Sequence, residues 1–325
     1  MKNTWIIVAV VVIVAIIGGL AYYTTMQSAN AVSYKVGTIV LNNDDYFAEL
    51  YLGGNQVKWP AGATVTAFTG NTGAVQNALA AGSIDMGIAG QTMIGALCGS
   101  NPAPIKIVAD QVDPNHQWAL FVKNDTANLN LNSMSQLQGK NFGVSRVGSE
   151  GYSMLIYEAG LLNWTSSQYK YTAVGGLTAL VSAVNSGSID AFFWDTSTTG
   201  PLVQQGLIKE VFAVPYPGAF SVVMATNSFI SSHPTQIKDF LNSLYKIGQM
   251  WNSNQTLAVQ TLMTNYNMSQ SAATTAYHEF PVSTNGYINT TLLAQTVKFL
   301  QISGTCPANF NMASSYTTQF ANAGP

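Results

Sequence analysis

The sequence predicts an α/β protein of two similar lobes, carried behind an N-terminal transmembrane helix. Three observations predict it. Short apolar strands alternate with amphipathic stretches from residue 34 onward, as βαβ units do. A helix-Gly-Ser-Ile-Asp unit occurs twice, at 74–85 and at 179–190. An uncharged apolar run opens the chain.

That opening run follows Lys2 and extends from Trp5 to Tyr23, with Val and Ile dominating Ile6–Ile17. Its length is near the ~20 residues a helix needs to cross the hydrocarbon core. Trp5 and the pair Tyr22-Tyr23 stand at its ends, as interfacial aromatics do. Lys2 favours a cytoplasmic N-terminus, which leaves everything after residue 23 outside. A cleaved signal peptide is the alternative, with Ala29-Asn30-Ala31 as its cleavage sequence. The run is longer than the usual ~7–15 residues of a signal core, which favours an uncleaved anchor over 1–23 and a linker over 24–33.

Alternation then predicts strands at Tyr34–Leu41 and Thr64–Thr69. Gly70-Asn71-Thr72-Gly73 opens a helix through Ala81, with Val75, Ala78 and Leu79 on one face. Met86–Ala89, Ile105–Ala109 and Trp118–Val122 are apolar enough to be buried strands, and the sheet they form is expected to be largely parallel. In the second copy, Gly139–Val144 is a Gly-bounded strand, 145–151 a small-residue loop and Tyr152–Leu162 a helix. Ala191–Phe193 and Phe220–Ala225 are strands. Pro234–Tyr266 reads as one long amphipathic helix, with further helices over Ser269–Phe280 and Thr291–Ile302.

The repeat carries the two-lobe expectation. Each copy ends an apolar helix at a Gly, Gly82 or Gly187, suited to the left-handed position that closes helices. Ser-Ile-Asp then leads into a short strand. Asp85 and Asp190 read as turn residues that fix the helix-to-strand corner.

Composition narrows the function classes. Of 325 residues only 8% are charged, net charge is −2, and hydrophobic content is 47%. That excludes a basic nucleic-acid surface and a disordered chain. The polar residues are mostly Asn, Ser, Thr and Gln, which fits an exterior facing acid or a genome-wide compositional bias. Cys98 and Cys306 are too far apart for a zinc or redox motif. Sequons at Asn124, Asn163, Asn254, Asn267 and Asn289 permit glycosylation at a density that chance alone would give.

The order of motifs resembles a known family. Gly-Lys-Asn-Phe-Gly-Val-Ser-x-x-Gly-Ser (139–149), then a helix, then Gly-Ser-Ile-Asp-Ala (187–191), is similar to the substrate-binding proteins of the nitrate, sulfonate and thiamine-precursor group of ABC importers. Gly-Ser-Ile-Asp-Met-Gly-Ile-Ala-Gly (82–90) resembles the same family's first-lobe segment, and Pro234–Leu244 its long return helix. The resemblance spans residues 34–302. It implies a two-lobed type II periplasmic-binding-protein fold, with lobe 1 over 34–122 plus 220–325 and lobe 2 over 123–219. It further implies a hinge at the crossings, a small molecule trapped in the cleft, an ABC permease as partner and neither cofactor nor metal. No Cys lies near residue 23 to be lipidated, which departs from many relatives. In that fold Cys98 and Cys306 share lobe 1, so a disulfide is expected, the alternative being two unrelated buried thiols.

Ligands of open α/β sheets bind beyond the carboxyl ends of strands. That rule selects loops carrying Asp45, Asn71, Gln91, Arg146, Ser149, Trp194 and Asp195, with Trp118 beside them. Arg146 is the chain's only arginine and sits in a loop that opens a helix. It suits a carboxylate, sulfonate or phosphonate, unless it pairs with Glu150 or Glu158. Trp118 and Trp194 would stack on a ligand or pack in the core. Asp195 would accept from an amino or hydroxyl group, and Asp44 and Asp45 would bind ligand or cap a helix. An enzyme on the same fold is a second class. His116, His233 and His278 are scattered, and Asp44-Asp45 is the one adjacent carboxylate pair. No catalytic residue is expected. An extracellular ligand-sensing domain is a third class.

Overall fold

A computed structural model of the chain describes residues 32–39, 58–68, 72–98, 102–112, 117–128, 130–215, 217–218, 221–266, 268–279 and 282–321. The first sheet takes β1 (Tyr34–Ile39), β2 (Ala63–Phe68), β3 (Met86–Gly90), β4 (Ile105–Val112) and β10 (Ser221–Thr226). The second takes β5 (Gln117–Lys123), β6 (Asn141–Val144), β7 (Lys170–Ala173), β8 (Ala191–Asp195) and β9 (Ile208–Pro215). Their orders are β2-β1-β3-β10-β4 and β7-β6-β8-β5-β9. The two are one scheme built twice, with β6, β7 and β8 standing for β1, β2 and β3.

Both sheets are mixed rather than largely parallel. β1 pairs parallel with β2 and β3, and β6 with β7 and β8. β10 runs antiparallel to β3 and β4, and β5 antiparallel to β8 and β9. The reversal follows from connectivity, because β5 and β10 are the first strands laid down after each passage between sheets. This corrects the expected first crossing. Strand β5 belongs to the second sheet, so the chain passes over between Val112 and Gln117, not at residue 122. The return falls between Pro215 and Ser221.

Ten helices among the described residues complete the frame: α1 (Thr72–Ala80), α2 (Gly95–Cys98), α3 (Glu150–Leu161), α4 (Leu177–Ser186), α5 (Thr196–Gln204), α6 (Asn227–Ser232), α7 (Pro234–Ser253), α8 (Gln255–Tyr266), α9 (Gln270–Glu279) and α10 (Thr290–Ile302). The single helix expected over Pro234–Tyr266 is broken at Asn254, whose side chain accepts from the Leu257 N–H at 3.0 Å and starts α8. Helix α7 buries Ile237, Phe240, Leu241, Leu244 and Trp251 along one stripe against the first sheet's core.

The repeated unit explains why both sheets form. Gly82 and Gly187 adopt φ of 67° and 77°, a conformation that costs other residues energy and costs Gly little. Ser83 N–H then bonds Ala78 O at 3.0 Å, and Ser188 N–H bonds Ala183 O at 2.9 Å. Asp85 clamps the start of β1: its carboxylate accepts from Lys35 N–H at 2.8 Å while its own N–H donates to Lys35 O at 2.9 Å. Asp190 does the same to Asn141, at 2.8 and 2.7 Å. Between them the Ile of each unit lies over a strand glycine. A Cβ on Gly37 would stand 2.6 Å from Ile84 Cδ1, and one on Gly143 would strike Ile189 Cδ1.

The C-terminal segment is held to the first lobe. Thr317 N–H donates to Ile107 O at 3.0 Å, and Ile107 N–H to Ser315 O at 2.9 Å, beside the first sheet. A disulfide joins Cys98 to Cys306, with 5.0 Å between their Cα atoms. At the crossing, Ser221 Oγ lies 2.5 Å from Gln111 Oε1, tying the last residues of β4 to the first of β10. Between lobes, Tyr157 of α3 meets Phe299 of α10 with ring centroids 5.5 Å apart, and α5 packs on α9.

Candidate functional site

The carboxyl ends of β3 and β6 face each other where the lobes meet, and each delivers its chain into a helical turn. β3 ends at Gly90 and continues into a 3-10 turn, Gln91–Ile94. β6 ends at Val144, and the loop 145–149 then starts α3. Gly148 turns that loop with φ of 77°. Ser149 caps α3, its Oγ accepting from Tyr152 N–H at 3.3 Å, while its own N–H donates to Arg146 O at 3.2 Å. Ser149 is buried and serves the loop and helix rather than pointing into open cleft.

Arg146 is half-buried on this loop. Its Nη1 donates to Val147 O at 3.3 Å, so the guanidinium folds back along the turn it belongs to. Glu150, weighed in sequence as its partner, goes elsewhere. Its Oε1 accepts from Thr92 Oγ1 at 2.6 Å and from Thr72 Oγ1 at 3.3 Å, both in the first lobe. Sequence reasoning named Glu150 only as a partner for Arg146 and did not name Thr72 or Thr92 as site residues. An acidic residue in a helix's first turn is ordinary dipole complementation, so nothing local marks Glu150 as reaching across.

The aromatic side is Trp118 and Trp194, whose rings lie 6.0 Å apart at 35°. Both are buried. Trp118, at the start of β5, lies on the α3 side: a Cβ on Gly151 would stand 3.7 Å from its Cζ3. Trp194 packs with Phe121, Phe192, Leu177 and Leu180 in the second lobe's own smaller core. Trp118 packs in turn in the larger core, so burial does not separate the two indoles. Asp195 caps α5, with one carboxylate oxygen accepting from Thr198 N–H at 2.7 Å and the other from Thr198 Oγ1 at 2.6 Å. Both of its carboxylate oxygens are thus engaged at the start of α5. Gln91 begins the 3-10 turn, but its side chain lies outside the described residues, as do Asp45, Asn71 and the segment 1–23.

Around this region, burial first and then neighbouring Tyr171 push the Tyr152 phenol up. Burial alone pushes up the carboxyl of Glu158, about two turns beyond Glu150 on α3. Among the described residues no cluster of three His, Cys, Asp or Glu could hold a metal ion. No helix among them is long and apolar enough to cross a membrane. What the arrangement offers chemically is a cleft floor of buried hydroxyls and a carboxylate, a guanidinium on one loop and an indole beside it.

Comparison with known proteins places this architecture. Residues 61–255 match a family described as NMT1/THI5 like. No curated protein matches the chain significantly. Among solved structures, the Candida albicans CA3427 gene product, described as having the generic periplasmic binding protein fold, superposes with a TM-score of 0.76 at 19% identity, over 90% of this chain and 97% of that one. The alkanesulfonate-binding protein SsuA of Xanthomonas axonopodis pv. citri, bound to MOPS, gives 0.71 at 14% identity, over 88% and 98%. The periplasmic nitrate-binding protein NrtA of Synechocystis PCC 6803 gives 0.65 at 14%, over 86% and 83%. At these identities the likeness is one of fold.

Proposed function

The chain belongs to the NMT1/THI5-like family, and on that premise we propose that it is the extracytoplasmic solute-binding component of an ABC-type importer. It traps one small molecule between its lobes and presents the closed form to a permease. The segment Trp5–Tyr23 tethers it to the membrane.

The observation that supports this reading most is the doubled sheet. Two sheets of the same order point the carboxyl ends of β3 and β6 at one another, and only two chain passages join them. That geometry makes a cleft whose walls can part about a hinge and close on a ligand. Two of the three neighbours named above are an alkanesulfonate-binding and a nitrate-binding protein of the same architecture.

The ligand carries one anionic group, held by Arg146 on the loop after β6, with the Trp118 indole covering its flat or apolar part. A guanidinium binds such a group through paired, charge-assisted bonds. The test begins with native mass spectrometry of freshly purified protein, which gives the mass of the retained molecule. Calorimetric titration of that molecule into Arg146→Ala should then show affinity reduced at least about tenfold, the equivalent of one charge-assisted bond. Wild-type affinity in Arg146→Ala would remove Arg146 from the site.

A further inference from the structure

We propose that Glu150 sets lobe closure: its carboxylate, carried by the second lobe, latches onto the hydroxyls of Thr72 and Thr92 in the first. The inference rests on the two-lobed trapping reading for its purpose and on the interlobe geometry for its substance. Oε1 of Glu150 accepts both hydroxyls, at 2.6 and 3.3 Å. The two threonines are 2% exposed, so in the closed protein neither hydroxyl has bulk water to turn to. Thr72 opens α1, and Thr92 lies in the turn that follows β3. The latch therefore reaches two separate segments of the first lobe.

Gly90 shows how closely the carboxylate is seated. Its φ of −58° and ψ of 160° are open to any residue, so backbone conformation does not require glycine there. Space does. A Cβ at Gly90 would stand 2.6 Å from Glu150 Oε1 and 3.1 Å from Thr72 Oγ1. The three atoms nearest to it all belong to the latch. Further along the same helix, Tyr157 lies on Phe299, and a Cβ built on Gly160 would stand 3.5 Å from Ile302 Cγ2. Helix α3 thus touches the first lobe along its length, with the polar contact at its leading end.

When the lobes part, all three side chains regain water, so the latch biases closure without blocking opening. Losing a charge-assisted bond shifts the closed-to-open ratio by about tenfold. The experiment is small-angle X-ray scattering of full-length protein, with far-ultraviolet circular dichroism and the unfolding midpoint as controls. Glu150→Ala, Thr92→Val and Gly90→Ala should each raise the radius of gyration while the spectrum and midpoint stay near wild type. Glu150→Gln, which keeps an accepting oxygen in place, should lie between Glu150→Ala and wild type. Thr92→Val should add nothing on the Glu150→Ala background, because the two remove one interaction. Wild-type scattering from both Glu150→Ala and Gly90→Ala would overturn the proposal, as would additive effects of Glu150→Ala and Thr92→Val. Should Gly90→Ala fail to fold, the near-isosteric Thr92→Val decides. If the variants open but the protein binds no small molecule, the solute-trapping reading falls and the latch stands.

Discussion

Replacing Cys98 and Cys306 together by alanine should lower stability by about 2–5 kcal/mol. The bond closes a loop with a sequence separation of 208, and its cysteines are 3% exposed. Chain entropy for so long a loop gives roughly 5 kcal/mol at 25 °C, and compact denatured states reduce the realised value toward the lower end. Alanine is chosen over serine because a buried hydroxyl would add a desolvation cost unrelated to the crosslink. The structural consequence is specific: Cys98 ends α2, and Cys306 follows α10, so the bond fastens the C-terminal segment to the first lobe. Urea titration followed by circular dichroism measures the change. The slope of free energy against urea should rise in the variant, since the uncrosslinked denatured chain exposes more surface. A double variant within about 1 kcal/mol of wild type, with unchanged slope, would refute the loop-closure reasoning.

Other perturbations test the repeated frame and the buried charge on α3. Gly143→Ala should cost about 1–3 kcal/mol by overpacking, because the new methyl would strike Ile189 and Leu180, and a urea midpoint equal to wild type would count against that packing. Asp190→Ala should cost about 1 kcal/mol by unclamping Asn141 at the start of β6, measurable by thermal unfolding. The Lys140 contact at 3.5 Å adds little to that sum, being half-exposed. Glu158 has its carboxyl pushed above the usual 4.5 by burial, so the native state holds its proton more tightly than the unfolded chain. Stability from this group is present below the unfolded value and is lost as pH rises through the folded one. Glu158→Gln should therefore raise the melting temperature at pH 7, with the gain vanishing as pH falls below 4.5. A gain independent of pH would sink that explanation.

How much was legible in sequence follows the range of each interaction. The twin units at 82–85 and 187–190 were readable because a left-handed glycine, a turn and a clamping Asp are all local. The lobe assignment of β5 was not. Its interior is buried throughout, so it carries no facial pattern, and only pairing with β8 and β9 places it. β7 was overlooked because Lys170–Ala173 is exposed along its length at a sheet edge. The cap that Asp195 supplies was not legible, because Gly200 and Pro201 hide α5 from a helix reading. Glu150 was invisible as a bridge because its partners lie 58 and 78 residues away in sequence. Trp194 and Trp118 looked alike in sequence, and strand register separates them by pairing Trp194 with Ala119 and Trp118 with Asp195.

The central claim, that two lobes close on one small molecule, is tested most directly by scattering on protein stripped of ligand and then resupplied. Unfolding and refolding releases whatever molecule the purified protein holds, and the released fraction can be returned at saturating concentration. The account predicts a smaller radius of gyration on return, with one molecule bound per chain and no chemical change in it. An unchanged radius with the molecule bound, or a molecule recovered chemically altered, would contradict it.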